Sequence, residues 1–372
     1  MVDYGNLLQF YKGKRVFITG NTGFKGSWIS YILLTAGAQV QGYSLEPPTD
    51  PSLFRIIDLE SFSNLKQEYA DIREQNTLLK CVENFQPELI VHMAAQPIVR
   101  ESYRDPVTTY STNIMGTVNV CEAIRRTNTV KSFLNVTTDK VYRNHEWVYG
   151  YRECDELGGF DPYSNSKSCS ELVTYSYKDS FLSEKEIGIS TVRAGNVIGG
   201  GDFSIDRIIP DCVRALSEHR VISVRNPHSI RPYQHVLDPL FAYLLILKCQ
   251  YENRALAGCY NVGPDDNSCV HTGDLVRQFC DTWNSFIECN DNSACSLSWE
   301  NQTEENAVHE ADILKLDCSK LKVTFGWQPR WNIEDAVKQT VKWTQIWMQG
   351  ANKDAVRKEM NREIKDYLSY DP

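Results

Sequence analysis

Short apolar runs alternate with longer stretches whose apolar residues recur at helical spacing over residues 15–196. Residues 15–19 are apolar and end at Gly20, which predicts a strand; residues 26–36 predict a helix that stops near Gly37. Residues 39–44 read as a second strand and 67–70 as a short third, with Asp71 placed to cap a helix through residue 85. The continuous apolar run 89–93 predicts a buried strand. Asp105-Pro106 opens a long helix to about residue 126, since proline suits the first helical turn. A strand over 132–137, a helix over 163–181 and a strand over 188–194 continue the alternation. Strands separated by helices imply an α/β protein with a parallel sheet covered on both faces. Right-handed crossovers then make that sheet doubly wound, of Rossmann type.

The rhythm breaks after Asn196. Gly199-Gly200-Gly201-Asp202 reads as a loop, 207–217 as a helix and 221–224 as a short strand, while 285–307 is polar and rich in Asn, Ser and Glu. Residues 234–262 are expected to return to the first unit, with the apolar run 240–247 as a buried helix too short to span a bilayer. The expected division is a dinucleotide-binding domain of residues 1–196 plus about 232–264, and a smaller, partly discontinuous C-terminal substrate domain. That second unit takes about 197–231 plus 265–372 and covers the C-terminal ends of the strands.

Composition narrows the function. The chain has 372 residues, 42% hydrophobic and 11% aromatic, enough for a large core. A formal net charge of −9 with no basic block argues against nucleic acid or a polybasic membrane anchor as partner. Twelve cysteines include no C-x-x-C, and the closest pair, Cys289 and Cys295, lacks a histidine at finger spacing. No metal is expected, and the thiols read as reduced residues of a cytoplasmic protein. The N-terminus lacks the basic and apolar regions of a signal peptide.

Two clusters carry chemistry. Gly20-Asn21-Thr22-Gly23-Phe24-Lys25-Gly26 lies between a strand and a helix, the arrangement that cradles a dinucleotide diphosphate. Lys25 is either a candidate for a ribose 2′-phosphate or a surface residue, Asp71-Ile72 a candidate for the adenine and Glu46 for a ribose hydroxyl. Tyr163 and Lys167, four apart on one helix face, form the second cluster with Thr137-Thr138-Asp139-Lys140, which ends the preceding strand. A nearby ammonium is expected to lower the Tyr163 phenol enough to make it a base. Asp139 as proton donor requires a raised pKa and Lys140 as base a depressed one. Direct contact would push both the wrong way, so the pair is read jointly or as facing different edges of a substrate. His92 and the series Trp327, Trp331, Trp343 and Trp347 read as packing.

Glycine loop plus Y-x-x-x-K resembles the extended short-chain dehydrogenases/reductases. Longer blocks are similar to the CDP-glucose 4,6-dehydratase family. They are Gly20-Asn21-Thr22-Gly23-Phe24-Lys25-Gly26-Ser27-Trp28, Pro48-Thr49-Asp50-Pro51-Ser52-Leu53-Phe54, His92-Met93-Ala94-Ala95-Gln96-Pro97, the run from Arg193 to Asp202, and Ser229-Ile230-Arg231-Pro232-Tyr233-Gln234-His235-Val236. That family pairs Asp with Lys where dTDP-glucose dehydratases pair Asp with Glu, as Asp139-Lys140 does here. It more often carries His at the position of Asn21 and Ser at that of Thr138.

The resemblance implies bound NAD, held by Gly20, Thr22, Gly23, Phe24, Lys25, Gly26, Asp71, Ile72, Ala94, Ala95, Gln96, Tyr163 and Lys167. It implies that Tyr163 takes the 4-hydroxyl proton as hydride leaves C4 of CDP-glucose, and that Thr138 holds the 4-oxygen. Lys140 then removes the C5 proton, or its ammonium stabilises the enolate, and Asp139 protonates the departing 6-hydroxyl. Hydride returned to C6 gives the 4-keto-6-deoxy sugar. Asn196, Arg207 and Arg231 would contact the substrate, and Asn113 a backbone near the site. The helices starting at Pro106 and Tyr163 would pair in a homodimer or larger assembly. The competing expectations are a dehydratase or epimerase of another nucleotide sugar and a non-catalytic dinucleotide-binding protein of the same fold.

Overall fold

The computed structural model describes residues 2–289, 296–302 and 313–370. Six parallel strands follow the predicted order: β1 (Arg15–Thr19), β2 (Gln39–Ser44), β3 (Leu65–Tyr69), β4 (Leu89–His92), β5 (Ser132–Val136) and β6 (Gly188–Ala194). The segment Cys259–Val262 pairs in parallel with β6 and completes a seven-stranded sheet ordered Cys259–Val262, β6, β5, β4, β1, β2, β3. The order reverses between β1 and β4, so their C-terminal ends flank the crevice where such sheets bind ligands. The third strand begins two residues earlier than its alternation suggested.

Helices cover both faces. The helix Leu237–Glu252 is buried along the whole of residues 240–247, the predicted apolar run. It shares a core with β1, the helix Phe24–Thr35 and two elements absent from the sequence reading, Tyr4–Tyr11 and Lys353–Ser369. Trp327, Trp331 and Trp343 are buried in that core and Trp347 packs against it, as expected of packing residues. A separate cluster under the helices Ile208–Ser217, Thr272–Cys289 and Ile333–Met348 lies beyond the strand ends. Part of the polar region 285–307, with Cys295, lies outside the described residues. No helix among the described residues is long and apolar enough to cross a membrane.

Two local departures have physical causes. Asp71 does not cap the following helix, which starts at Gln75 without a side-chain cap. Its carboxylate instead accepts from the Arg73 backbone at 2.9 Å and from the guanidinium at 2.6 Å, closing a tight turn first. The long helix opened by Asp105, which caps the Thr108 N–H at 2.9 Å, contains one wide turn at Ser111–Met115. Asn113 sits in that turn, accepting from Gln96 N at 2.9 Å and donating to Gln96 O at 3.1 Å and Ser166 Oγ at 2.8 Å. Such wide turns occur where a side chain must reach out of a regular helix.

Candidate active site

The glycine loop fits a dinucleotide diphosphate. Gly20 has φ 75°, and a Cβ there would stand 2.7 Å from the Ala94 nitrogen. A Cβ on Gly26 would stand 2.1 Å from the Gly20 oxygen, so strand end and helix start meet backbone to backbone. Gly23 is open, with nothing nearer than 3.5 Å to a Cβ, and precedes the helix Phe24–Thr35 without a side-chain cap. The first N–H groups of that helix are left for an anion, which its dipole favours. Thr22 Oγ1 donates to Leu45 O at 3.0 Å and ties the loop to the end of β2.

The other walls of this crevice are rigid. Ala94 N donates to Thr19 Oγ1 at 3.1 Å, and Gln96, next to Ala95, is fixed by Asn113 and by Thr109 at 2.9 Å. His92 is buried between the Thr19 and Thr117 hydroxyls at 2.8 and 3.2 Å, and burial pushes it down to about 3, as befits a packed neutral histidine. Ile72 lies beyond the β3 end, against Gly116, with its carbonyl accepting from Asn119 Nδ2 at 3.0 Å. Glu46, the candidate for a ribose hydroxyl, pairs with Arg55 at 3.2 Å on the surface. Asn21, Ser44 and Gln67 form a hydrogen-bonded cluster at the end of β2.

At the end of β5 the reacting residues converge on one cavity. Thr138, Asp139, Lys140, Tyr163, Asn196, Arg207 and Arg231 all line it. Asp139 is buried; its Oδ1 accepts from Thr138 Oγ1 at 2.9 Å and lies 3.7 Å from Lys140 Nζ. The acid and the amine therefore touch rather than face different edges. Asp139 Oδ2 is buried without a partner, beside Gly195, where a Cβ would stand 3.1 Å away. A buried carboxylate oxygen left unpaired is costly, so it is placed for a group that arrives.

The tyrosine helix, Pro162–Phe181, starts from the Asp161 cap, which accepts from Ser164 N at 3.0 Å. Tyr163 and Lys167 follow on one face. The expected lowering of Tyr163 by Lys167 is not found. Burial pushes the phenol up to about 12, opposed by a hydrogen bond with Thr138 and by Arg207. Lys167 Nζ instead donates to Val136 O at 3.0 Å, and burial brings its amine down to about 8 against the pull of Glu171. Arg207 pairs with Asp202 at 3.2 Å, and Arg231 is buried, donating to Ile230 O at 2.9 Å.

One buried network escaped the sequence reading. Glu171 accepts from Thr137 Oγ1 at 2.5 Å, Thr191 Oγ1 at 2.6 Å and Arg193 at 3.0 and 3.1 Å. It locks the tyrosine helix to the ends of β5 and β6. The signal was present: an arginine inside a wholly buried strand demands a partner, and Glu171 shares a helix face with Tyr163 and Lys167.

A switch-point crevice with an open glycine loop, a Tyr-Lys helix and a strand-end acid defines a nucleotide-dependent enzyme site of the Rossmann class. The chain belongs to the family described as GDP-mannose 4,6 dehydratase, whose model matches residues 17–340. It is 43% identical over 367 residues to the CDP-glucose 4,6-dehydratase of Salmonella typhimurium, covering 97% of this chain and 98% of that one. Its fold resembles the Bacillus anthracis dTDP-glucose 4,6-dehydratase in complex with NAD, with TM-score 0.72, 19% identity and coverage of 92% and 100%. The Bacillus cereus UDP-glucuronic acid 4-epimerase, solved with UDP-glucuronic acid and NAD, superposes with TM-score 0.74 at 19% identity, covering 90% and 99%.

Proposed function

We propose that this protein is an NAD-dependent hydro-lyase that converts CDP-glucose to CDP-4-keto-6-deoxyglucose. The observation that carries the reading is the meeting of Asp139, with its unpartnered buried oxygen, Lys140 and Tyr163 in one cavity beside an open glycine loop. The relative of highest identity quoted above, a CDP-glucose 4,6-dehydratase, supports the choice of nucleotide. Bound NAD would supply a hydride acceptor for C4 that returns the hydride at C6. Gly20, Thr22, Gly23, Phe24, Lys25 and Gly26 would hold its diphosphate, Asp71 and Ile72 its adenine end, and Ala94, Ala95 and Gln96 the crevice wall.

The chain's own residues divide the proton work. Tyr163, whose phenol burial raises and the positive charge of bound NAD would lower, takes the proton from the 4-hydroxyl, with Thr138 hydrogen-bonded to the same oxygen. The 4-ketone acidifies C5, whose proton passes to Lys140, which acts jointly with the Asp139 carboxyl it touches as one proton-sharing pair. Asp139 Oδ2, the free oxygen, gives its proton to the 6-oxygen as water departs. A proton then returns to C5 from Lys140, once its ammonium has exchanged with solvent. Lys167 holds the ribose beside Tyr163, and Asn196, Arg207 and Arg231 hold the substrate, the arginines as a clamp on its diphosphate. The substrate domain is the unit beyond the strand ends, about 197–231 plus 265–372.

The protein would work in the cytoplasm as a homodimer. Val107 and Leu172, 77% and 56% exposed on the helices Pro106–Tyr110 and Pro162–Phe181, supply the apolar face for a helical bundle with a second copy. The substrate assignment is tested by incubating the protein and NAD with CDP-glucose, dTDP-glucose or GDP-mannose. Rapid ketosugar formation from CDP-glucose is expected; formation from another donor alone would reassign the substrate, and binding without turnover would make the chain a dinucleotide-binding protein.

A further inference from the structure

Lys25 is the second residue of the helix Phe24–Thr35, the element whose N-terminus closes the glycine loop. Its side chain lines the reaction cavity. There the ammonium stands 6.0 Å from the centre of the Tyr243 ring, and among the described residues it forms no ion pair. The charged groups that face it are Arg207 and Asp202 from one loop, Lys167 from the tyrosine helix and Asp139 from the end of β5. Both carboxylates are engaged elsewhere: Asp202 holds Arg207 at 3.2 Å, and Asp139 lies 3.7 Å from Lys140 Nζ. The positive end of the helix dipole adds to the two cations.

A cation confined in this way lacks the anion that would stabilise it. Burial, then Arg207 and Lys167, bring the amine down to about 7. Near neutrality it is balanced between its two forms, and a neighbouring negative charge decides which one prevails. The glycine loop beside it is shaped for such a charge, with free N–H groups and no side chain at Gly23.

We infer that Lys25 takes up a proton from solvent as a dinucleotide diphosphate settles on the glycine loop, so that cofactor binding is coupled to pH through this side chain. The inference rests on the cofactor site proposed above. Its sign is fixed. Below neutrality the amine already carries its proton and binding takes up none. Above neutrality each binding event must also bind a proton, so affinity falls as pH rises. The effect ends once pH passes the value the amine acquires beside the phosphates.

The test is calorimetric titration of NAD into the full chain at pH 6 and pH 8, in two buffers of different ionisation enthalpy. The expected result is uptake on the order of one proton per NAD at pH 8 and little at pH 6, with Kd rising by up to about tenfold per pH unit above 7. Lys25→Arg, permanently charged, should bind NAD with no uptake and no such slope. Lys25→Met should also lose the uptake, with weaker binding at pH 6. Should the methionine variant fail to fold, the arginine variant decides alone. Wild-type uptake that persists in Lys25→Arg would overturn the inference, as would uptake on CDP binding but not on NAD binding. NAD binding without uptake in the unaltered chain would overturn the inference and leave the cofactor site standing. A lack of NAD binding would overturn both.

Discussion

Asp139 keeps one oxygen for Thr138 and Lys140 and leaves the other buried without a hydrogen-bond partner. That asymmetry separates its part from that of Tyr163, and the two can be removed one at a time. Asp139→Asn should still oxidise the sugar at C4, seen as NADH absorbance in a single turnover, but lose elimination by roughly two to four decades. Tyr163→Phe should block the first oxidation, with no NADH signal. If both variants stop the same step, the division of labour is wrong. These residues were legible because the motif spacing places them on one strand end and one helix turn. The surroundings were not legible. Asp139 was expected either to pair with Lys140 or to avoid it, and only the packed cavity decides for contact. The Tyr163 phenol was expected to be lowered, but burial wins because Lys167 is spent on the Val136 carbonyl.

At the scale of elements, the glycine loop and the last helix make opposite demands. Gly26 is closed by the Gly20 carbonyl and Gly23 is open, so Gly26→Ala should lower the melting temperature of the protein while Gly23→Ala leaves it nearly unchanged. Equal melting shifts for the two would contradict the loop geometry. The helix Lys353–Ser369 carries Glu363, wholly buried and 3.7 Å from the equally buried His235. Burial, then Glu359, raises the Glu363 carboxyl well above its ordinary value, while burial lowers His235 to about 3. A raised carboxyl costs nothing below its unfolded pKa and costs progressively more as pH climbs toward its folded one. Glu363→Gln removes that cost, so its stabilising effect should grow by up to about 1.4 kcal/mol per pH unit above pH 4.5. Urea unfolding of both proteins at pH 5, 6.5 and 8 measures this; a difference independent of pH would contradict it. The sequence reading had strand and helix order right because period and glycine punctuation are local. It missed this helix, the Tyr4–Tyr11 helix and the wide turn at Asn113, all of which are held by distant partners.

At the scale of the whole molecule, Lys25 from the glycine-loop helix lines the same cavity as Arg207 and Arg231, to which the proposed reading gives the cofactor and substrate diphosphates. The segment Cys259–Val262 returns to the sheet and pairs in parallel with β6. The exposed Val107 and Leu172 sit on neighbouring helices, so light scattering should give a dimer, and Val107→Glu with Leu172→Glu should give a monomer. A monomeric parent protein would refute the helical-bundle dimer without touching the chemistry. That chemistry is tested most directly with CDP-glucose carrying deuterium at C4. The arrangement of Tyr163, Lys140 and Asp139 around one sugar predicts a 4-keto-6-deoxy product with the label at C6 and a solvent hydrogen at C5. Label released to water, or a ketosugar that keeps its 6-hydroxyl, would contradict it.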